Sequence, residues 1–269
     1  MNASGLSSPN LPPILLALGA QGQALLEVAT QEIPDEIGSQ AMTASPWNPQ
    51  RDDEIAELER EAATALAHGE AWLDSIADHP WMRPFTPTQQ GWVRGAERRS
   101  PTSELFKPPG VQTPRWQDLD LMPENGALGT TTTLVDDNLG PIPDEFRSPE
   151  GAPVWRLLMV ESARVRDLRT SEDWSGLVTA YPRLISETDL AVENSGIRIP
   201  GPVYGVDWAA ASADLDGVRL TLEGLVRIPY VETRVLDGTT TFVLGDVAWE
   251  HTLWLRWMVA ETVTVREPQ

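Results

Sequence analysis

Hydrophobic positions recur along this chain with two rhythms, separated by a stretch that has neither. Between Arg51 and Pro80, Ile55, Leu58, Ala62 and Ala65 follow one another at steps of three and four, Leu66 and Leu73 are seven apart, and Trp72 and Leu73 stand four and three residues before Ile76. That is the helical period, and it predicts an amphipathic helix over about 52–78. Asp52, Asp53 and Glu54 sit in its first turn, where the macrodipole favours anions. His79-Pro80 ends it, because a residue before proline avoids the α region. The apolar stripe is expected to pack on its own domain, which leaves one strongly acidic face. An earlier helix is expected after Asn10, with Pro12 and Pro13 in its first turn and Ile14, Leu15, Leu18, Leu25, Leu26 and Val28 on one side. Gly19 and Gly22 interrupt it. Residues 38–50 read as a linker.

Residues 80–150 show neither period. They are dense in proline, glycine, threonine and aspartate, and only TTTLVDDN suggests a short strand. So long an irregular stretch is unusual inside a domain. It is expected either to wrap over a surface or to order on a partner. Trp81, Trp92 and Trp116 favour wrapping, since disordered segments are poor in aromatics.

From 151 the pattern changes to strands. Val154–Val160 is an almost continuous apolar run, as in a central strand. Ser171, Asp173 and Trp174 look like the capped start of a short helix that Pro182 ends, and Asp207 like the cap of a second running to Leu215. Val218, Leu220, Leu222, Val226 and Ile228 then alternate with Arg219, Thr221, Glu223 and Arg227, which predicts one half-buried antiparallel strand. Val231–Leu236 and Thr239–Leu244 flank Asp237-Gly238, a strong hairpin signal. VAWEHTLWLRW (247–257) reads as a further strand, and Glu261–Val265 as another. The expected fold is α+β: an antiparallel sheet with short packed helices in residues 151–269, preceded by an acidic, helix- and loop-rich wrapping region over 1–150. No repeat of solenoid period is present.

Charge changes this picture most. Forty acids against twenty bases give a net charge of −20; residues 1–150 hold 23 acids and 9 bases, and residues 151–269 hold 17 and 11. Such a field repels nucleic acid and anionic membrane and favours a basic protein partner, a cationic ligand or a role as a nucleic-acid mimic. Lys107 is the only lysine, a bias that GC-rich coding produces, which suggests a bacterial or phage source. With no cysteine, disulfides, thiolate catalysis and cysteine-bound metals are excluded. The first residues have an apolar run without a basic n-region, and no stretch is long enough to cross a membrane, so the expected location is the cytoplasm.

The strand at 247–257 is where candidate chemistry concentrates. Period two places Val247, Trp249, His251, Leu253, Leu255 and Trp257 on one side, the expected core face. Ala248, Glu250, Thr252, Trp254 and Arg256 face the other way. Trp254 with Arg256 is therefore the expected partner anchor, because tryptophan and arginine dominate interface hot spots; Trp81, Trp92 and Trp116 are further candidate anchors. On this reading Trp254→Ala leaves folding nearly intact. A helix or loop from the first 150 residues covering this face is the competing expectation. His251 is the one weak catalytic candidate of its kind, with Asp246 and Glu250 as carboxylates near it. Glu250 points to the opposite face, and a histidine on an apolar face is more often a hydrogen-bonded core residue.

His68 and His79, with Glu70 and Asp78 nearby, match no spaced ligand set. Asp118, Asp120 and Glu124 faintly resemble an oxygen-ligand loop but lack the density of ligands that calcium needs. No metal and no cofactor is expected. There is no GxSxG elbow, no P-loop and no GxGxxG. The leading expectation is a non-catalytic intracellular interaction protein, of an immunity, inhibitor or assembly kind, with an acidic surface for a basic partner. The alternative is a hydrolase or transferase using carboxylates and His251. A third, a DNA mimic, would use the acids of the 52–78 helix.

Overall fold

A computed structural model describes residues 69–74, 76–78, 80–92, 131–134, 154–185, 202–228, 231–235, 239–243 and 250–266. Helix α1 covers residues 69–74, and a 3-10 turn, Pro80–Met82, follows. The strands are β1 (Thr88–Trp92), β2 (Thr131–Leu134), β3 (Val154–Met159), β4 (Val165–Leu168), β5 (Pro182–Ile185), β6 (Val203–Val206), β7 (Gly217–Leu220), β8 (Val231–Val235), β9 (Thr239–Val243), β10 (His251–Trp254) and β11 (Val259–Arg266). Between them lie α2 (Ser171–Ala180), α3 (Trp208–Asp214) and α4 (Leu222–Arg227). The class is α+β, as the patterning predicts.

Seven strands form one sheet in the order β11-β3-β1-β2-β10-β7-β4, and four form another in the order β5-β6-β9-β8. Pairing is antiparallel except at β4/β7 and β6/β9, which are parallel. The expected all-antiparallel sheet is corrected there. The chain between β4 and β7 is long enough for a crossover, which parallel neighbours require. The larger sheet also runs across position 150. β1 pairs with β3 and β2 with β10, so short strands from the acidic part are interleaved among those of residues 151–269.

Each face of the large sheet has its own core. On one face Leu168, Val218, Leu220 and Leu253 pack against Trp174, Leu177 and Val178 of α2, Trp208 of α3, and Leu222, Leu225 and Val226 of α4. Trp72, Leu73, Ile76 and Trp81 join that core, so the C-terminal end of the predicted amphipathic helix does pack its apolar stripe inward. Residues 51–68 of that helix, and the helix expected after Asn10, lie outside the described residues. On the opposite face Trp254, Leu157 and Met159 pack with Phe85, Val165, Trp257 and Val259.

Local signals place the short helices well. Thr170 caps α2: its hydroxyl accepts from the Asp173 N–H while the Asp173 carboxylate accepts from the Thr170 N–H, a capping box one residue before the expected start. Asp207 caps α3 as expected, accepting from the Ala210 N–H at 2.9 Å.

The predicted strand Val218–Ile228 is wrong in its second half. β7 ends at Leu220, and Leu222–Arg227 is helical. Thr221 accounts for the break: its hydroxyl accepts from the Gly224 N–H at 3.0 Å and donates to the Leu168 carbonyl at 3.0 Å. Leu222, Leu225 and Val226 then satisfy helical spacing, whereas strict alternation would have put Leu225 on the polar side. Gly224 lets α4 lie directly on β4, since a Cβ there would sit 2.3 Å from the Leu168 carbonyl oxygen. β3 lies between β11 and β1, inside the sheet as its apolar run suggests, but Leu158, facing away from Leu157 and Met159, is exposed, as is Val160 just past its end.

Candidate functional site

β10 holds both faces of the sheet together. His251 and Leu253 stand opposite Leu220 and Val218 of β7, on the helix-covered side. Thr252 and Trp254 stand opposite Arg219 and Gly217, on the other side. Within His251–Trp254 alternation puts each side chain where the sequence predicts; Trp257, expected on the His251 side, instead packs with Trp254, because the strand ends at Trp254 and its period no longer applies, and the second face is not a surface. Trp254 is 2% exposed. Its indole N–H donates to the Thr132 hydroxyl at 2.8 Å, and that hydroxyl donates to the Gln89 carbonyl oxygen at 3.0 Å. The Gln89 amide in turn donates to the Thr86 carbonyl at 2.7 Å. Phe85 meets the indole edge-to-face, with ring centroids 6.1 Å apart. Gly217 makes room for it, because a Cβ there would come within 3.2 Å of the indole. Trp254 is therefore a core residue with its one polar atom satisfied, not an exposed anchor. Residues before 150 cover it, the competing expectation.

Arg256 is also occupied within the chain. Its Nε lies 3.4 Å from Asp216, and its Nη2 donates to the Ser212 and Ala213 carbonyls at the end of α3. A cation there complements both the carboxylate and the negative end of the helix. Asp216 also accepts from the Arg164 backbone N–H at 2.9 Å and from its guanidinium. Burial on its own would raise the Asp216 pKa; the hydrogen bonds from Arg164 and the charges of Arg164 and Arg256 outweigh it and hold the carboxyl below its ordinary range.

The residues that sequence reasoning overlooked lie beside Trp254. Arg219, expected on the solvent side of a strand, is 1% exposed. Its Nε donates to the fully buried Glu250 carboxylate at 2.7 Å, its Nη2 to the Trp81 carbonyl at 2.9 Å, and its Nη1 lies 3.6 Å from Asp167. Charge then alternates outward. Asp167 meets Arg169 at 2.9 Å, Arg169 and Arg227 each meet Glu223 at 3.8 Å, and Arg227 grips Glu70 through two hydrogen bonds of 2.9 and 2.8 Å. The hydrogen bond from Arg227 leads the effects that hold the Glu70 carboxyl below its usual value, and the same bond raises Arg227.

The strand register makes a polar row of these groups. Asp167 (β4), Arg219 (β7), Thr252 (β10) and Thr132 (β2) are consecutive cross-strand partners on one face, and Gln89 (β1) continues the row through its bond to Thr132. The signal for it was present as polar residues at alternate positions in two apolar strands. Pairing those strands needed the register, which the sequence does not state.

As a catalytic set, His251 and Glu250 have no access to solvent, for both are fully buried. A substrate would have to enter the core to reach them. Asp246 and Trp116 lie outside the described residues, as do His68, His79, Asp118, Asp120 and Glu124; of Trp92 only the backbone is described, opposite Val154. Trp81 is buried, with its carbonyl serving Arg219. Among the described residues no three His, Asp or Glu side chains converge as metal ligands, and no helix is long and apolar enough to cross a membrane. Comparison with protein-family models, curated proteins and solved structures gives no match.

Proposed function

We propose that this chain is a non-catalytic, cytoplasmic interaction protein that engages a basic protein partner, in an immunity, inhibitor or assembly role. One observation supports the reading above the others. Residues 1–150 carry 23 acids against 9 bases, so most of the chain's net charge of −20 lies in its first part. So concentrated an acidic charge suits electrostatic steering of a cationic surface. With Trp254, Arg256 and Trp81 built into the framework, Trp92 and Trp116 are the aromatic anchors that the reading retains.

Affinity purification of the tagged chain from its source, at low and at high ionic strength, tests this. The expected result is a stoichiometric basic protein, released by salt and held less well by Trp116→Ala. A chain that elutes alone at both salt concentrations overturns the reading.

A further inference from the structure

The polar row on the Trp254 face is continuous in hydrogen bonds at both ends and broken in the middle. On one side, bonds run from Trp254 through Thr132 and Gln89 to the Thr86 carbonyl. On the other, Arg219 is tied to Glu250 and to the Trp81 carbonyl. Between these stands Thr252, in register with Thr132 on one side and Arg219 on the other. Thr252 is fully buried, and its Oγ1 has no hydrogen-bond partner among the described residues. The same holds for two buried atoms that follow it along the row, Arg219 Nη1 and Asp167 Oδ1.

Three polar atoms on three adjacent strands without a hydrogen bond, of which Arg219 Nη1 has only the 3.6 Å ion pair to Asp167, are hard to explain one at a time. Each buried group without a partner costs roughly 1–3 kcal/mol, and such groups in folded proteins nearly always have a protein or ordered partner. Their chemistry is complementary as well. Arg219 Nη1 only donates, Asp167 Oδ1 only accepts, and the Thr252 hydroxyl does either. The charges around them, Asp167 and Glu250 against Arg219 with Arg169 at the outer end, are balanced. A further anion or cation would disturb that balance.

We infer that the row is a built site for a neutral oxygen group with both an O–H donor and lone pairs, bridging Arg219 to at least one of its neighbours Thr252 and Asp167 in the interior of the sheet. Such a group accepts from Arg219 Nη1 and either donates to Asp167 Oδ1 or exchanges a hydrogen bond with the Thr252 hydroxyl. It comes from one of two sources, an ordered water or the hydroxyl of a small bound molecule. Buried waters typically make about three hydrogen bonds of this kind.

Thr252→Val tests the site through the sign of its effect. Valine keeps the shape and removes the hydroxyl. If Thr252 is bonded to a bridging group, the variant loses a buried hydrogen bond and melts lower, by about 2–4 °C. If the hydroxyl is truly unsatisfied, its removal relieves a penalty, and a melting temperature that stays level or rises overturns the bridge to Thr252. A crystal structure of the full wild-type chain, with native mass spectrometry of the same sample, is the second measurement and does not depend on the variant folding. A single oxygen peak within hydrogen-bond distance of at least two of the three atoms, with the mass of the chain alone, supports the site and identifies water. Larger density with added mass supports it and identifies a hydroxylated ligand. Density in which all three atoms bond to protein groups overturns it.

Discussion

Replacing Trp254 by alanine removes a side chain that fills the second core and anchors a three-residue hydrogen-bond relay. The expected loss is about 3–5 kcal/mol, typical of a buried aromatic. The opposite expectation, a nearly intact fold, rests on alternation, which reports the side of the strand and not whether that side is covered. Equilibrium unfolding in urea decides it, and a loss below about 1 kcal/mol would sink the core assignment. Arg219 carries the same lesson. An arginine on the polar side of a strand reads as solvated, yet here its charge is matched inside the protein by Glu250. Removing one member of such a pair leaves the other as an uncompensated buried charge, which typically costs about 3–5 kcal/mol.

At the scale of elements, α1 is held on α4 by apolar packing and by the Glu70–Arg227 clamp. Because the Glu70 pKa is depressed in the folded protein, its contribution is complete above its ordinary value of 4.5 and fades as the pH falls through the lowered folded value. Asp216, depressed from 3.8, acts in the same direction. Stability should therefore fall on acidification below about pH 4.5. Glu70→Gln should flatten part of that acid limb and cost at most about 1 kcal/mol at neutral pH, since the pair is only partly buried. Urea midpoints measured from pH 3.5 to 7 would show it, and an unchanged slope for the variant would count against the clamp. The capped helices were legible because a cap is a local event, in which a hydroxyl or carboxylate bonds an N–H three residues on. The misread strand shows the limit of alternation. Leu222 and Val226 fit a period of two as well as a helix, and Thr221 and Gly224, a cap and a close approach to β4, decide between them.

For the whole molecule, charge is the governing quantity. A chain at −20 resists compaction by self-repulsion, and salt screens that repulsion within about 10 Å at 0.1 M. Ion pairs inside the scaffold are short and partly shielded, so they lose less to screening. The melting temperature is therefore expected to rise when sodium chloride is raised from about 20 to about 200 mM, roughly the range over which screening becomes effective. A fall would mean that the scaffold's ion pairs outweigh the excess charge.

By itself the sequence determined what depends on near neighbours: the α+β class, the capped helices at 171 and 208, the β8–β9 hairpin, the strands at 154 and 259, and which side of β10 each residue faces. Only the tertiary structure decided what depends on pairing between distant segments. It set β1 and β2 among strands from the other half of the chain, buried Trp254 beneath residues before 150, and lined up Asp167, Arg219, Thr252 and Thr132 across four strands. Local hydrogen bonds and side-chain periods are written within a few residues. Strand register is set by the fit of whole surfaces, and the same alternation is compatible with many partners.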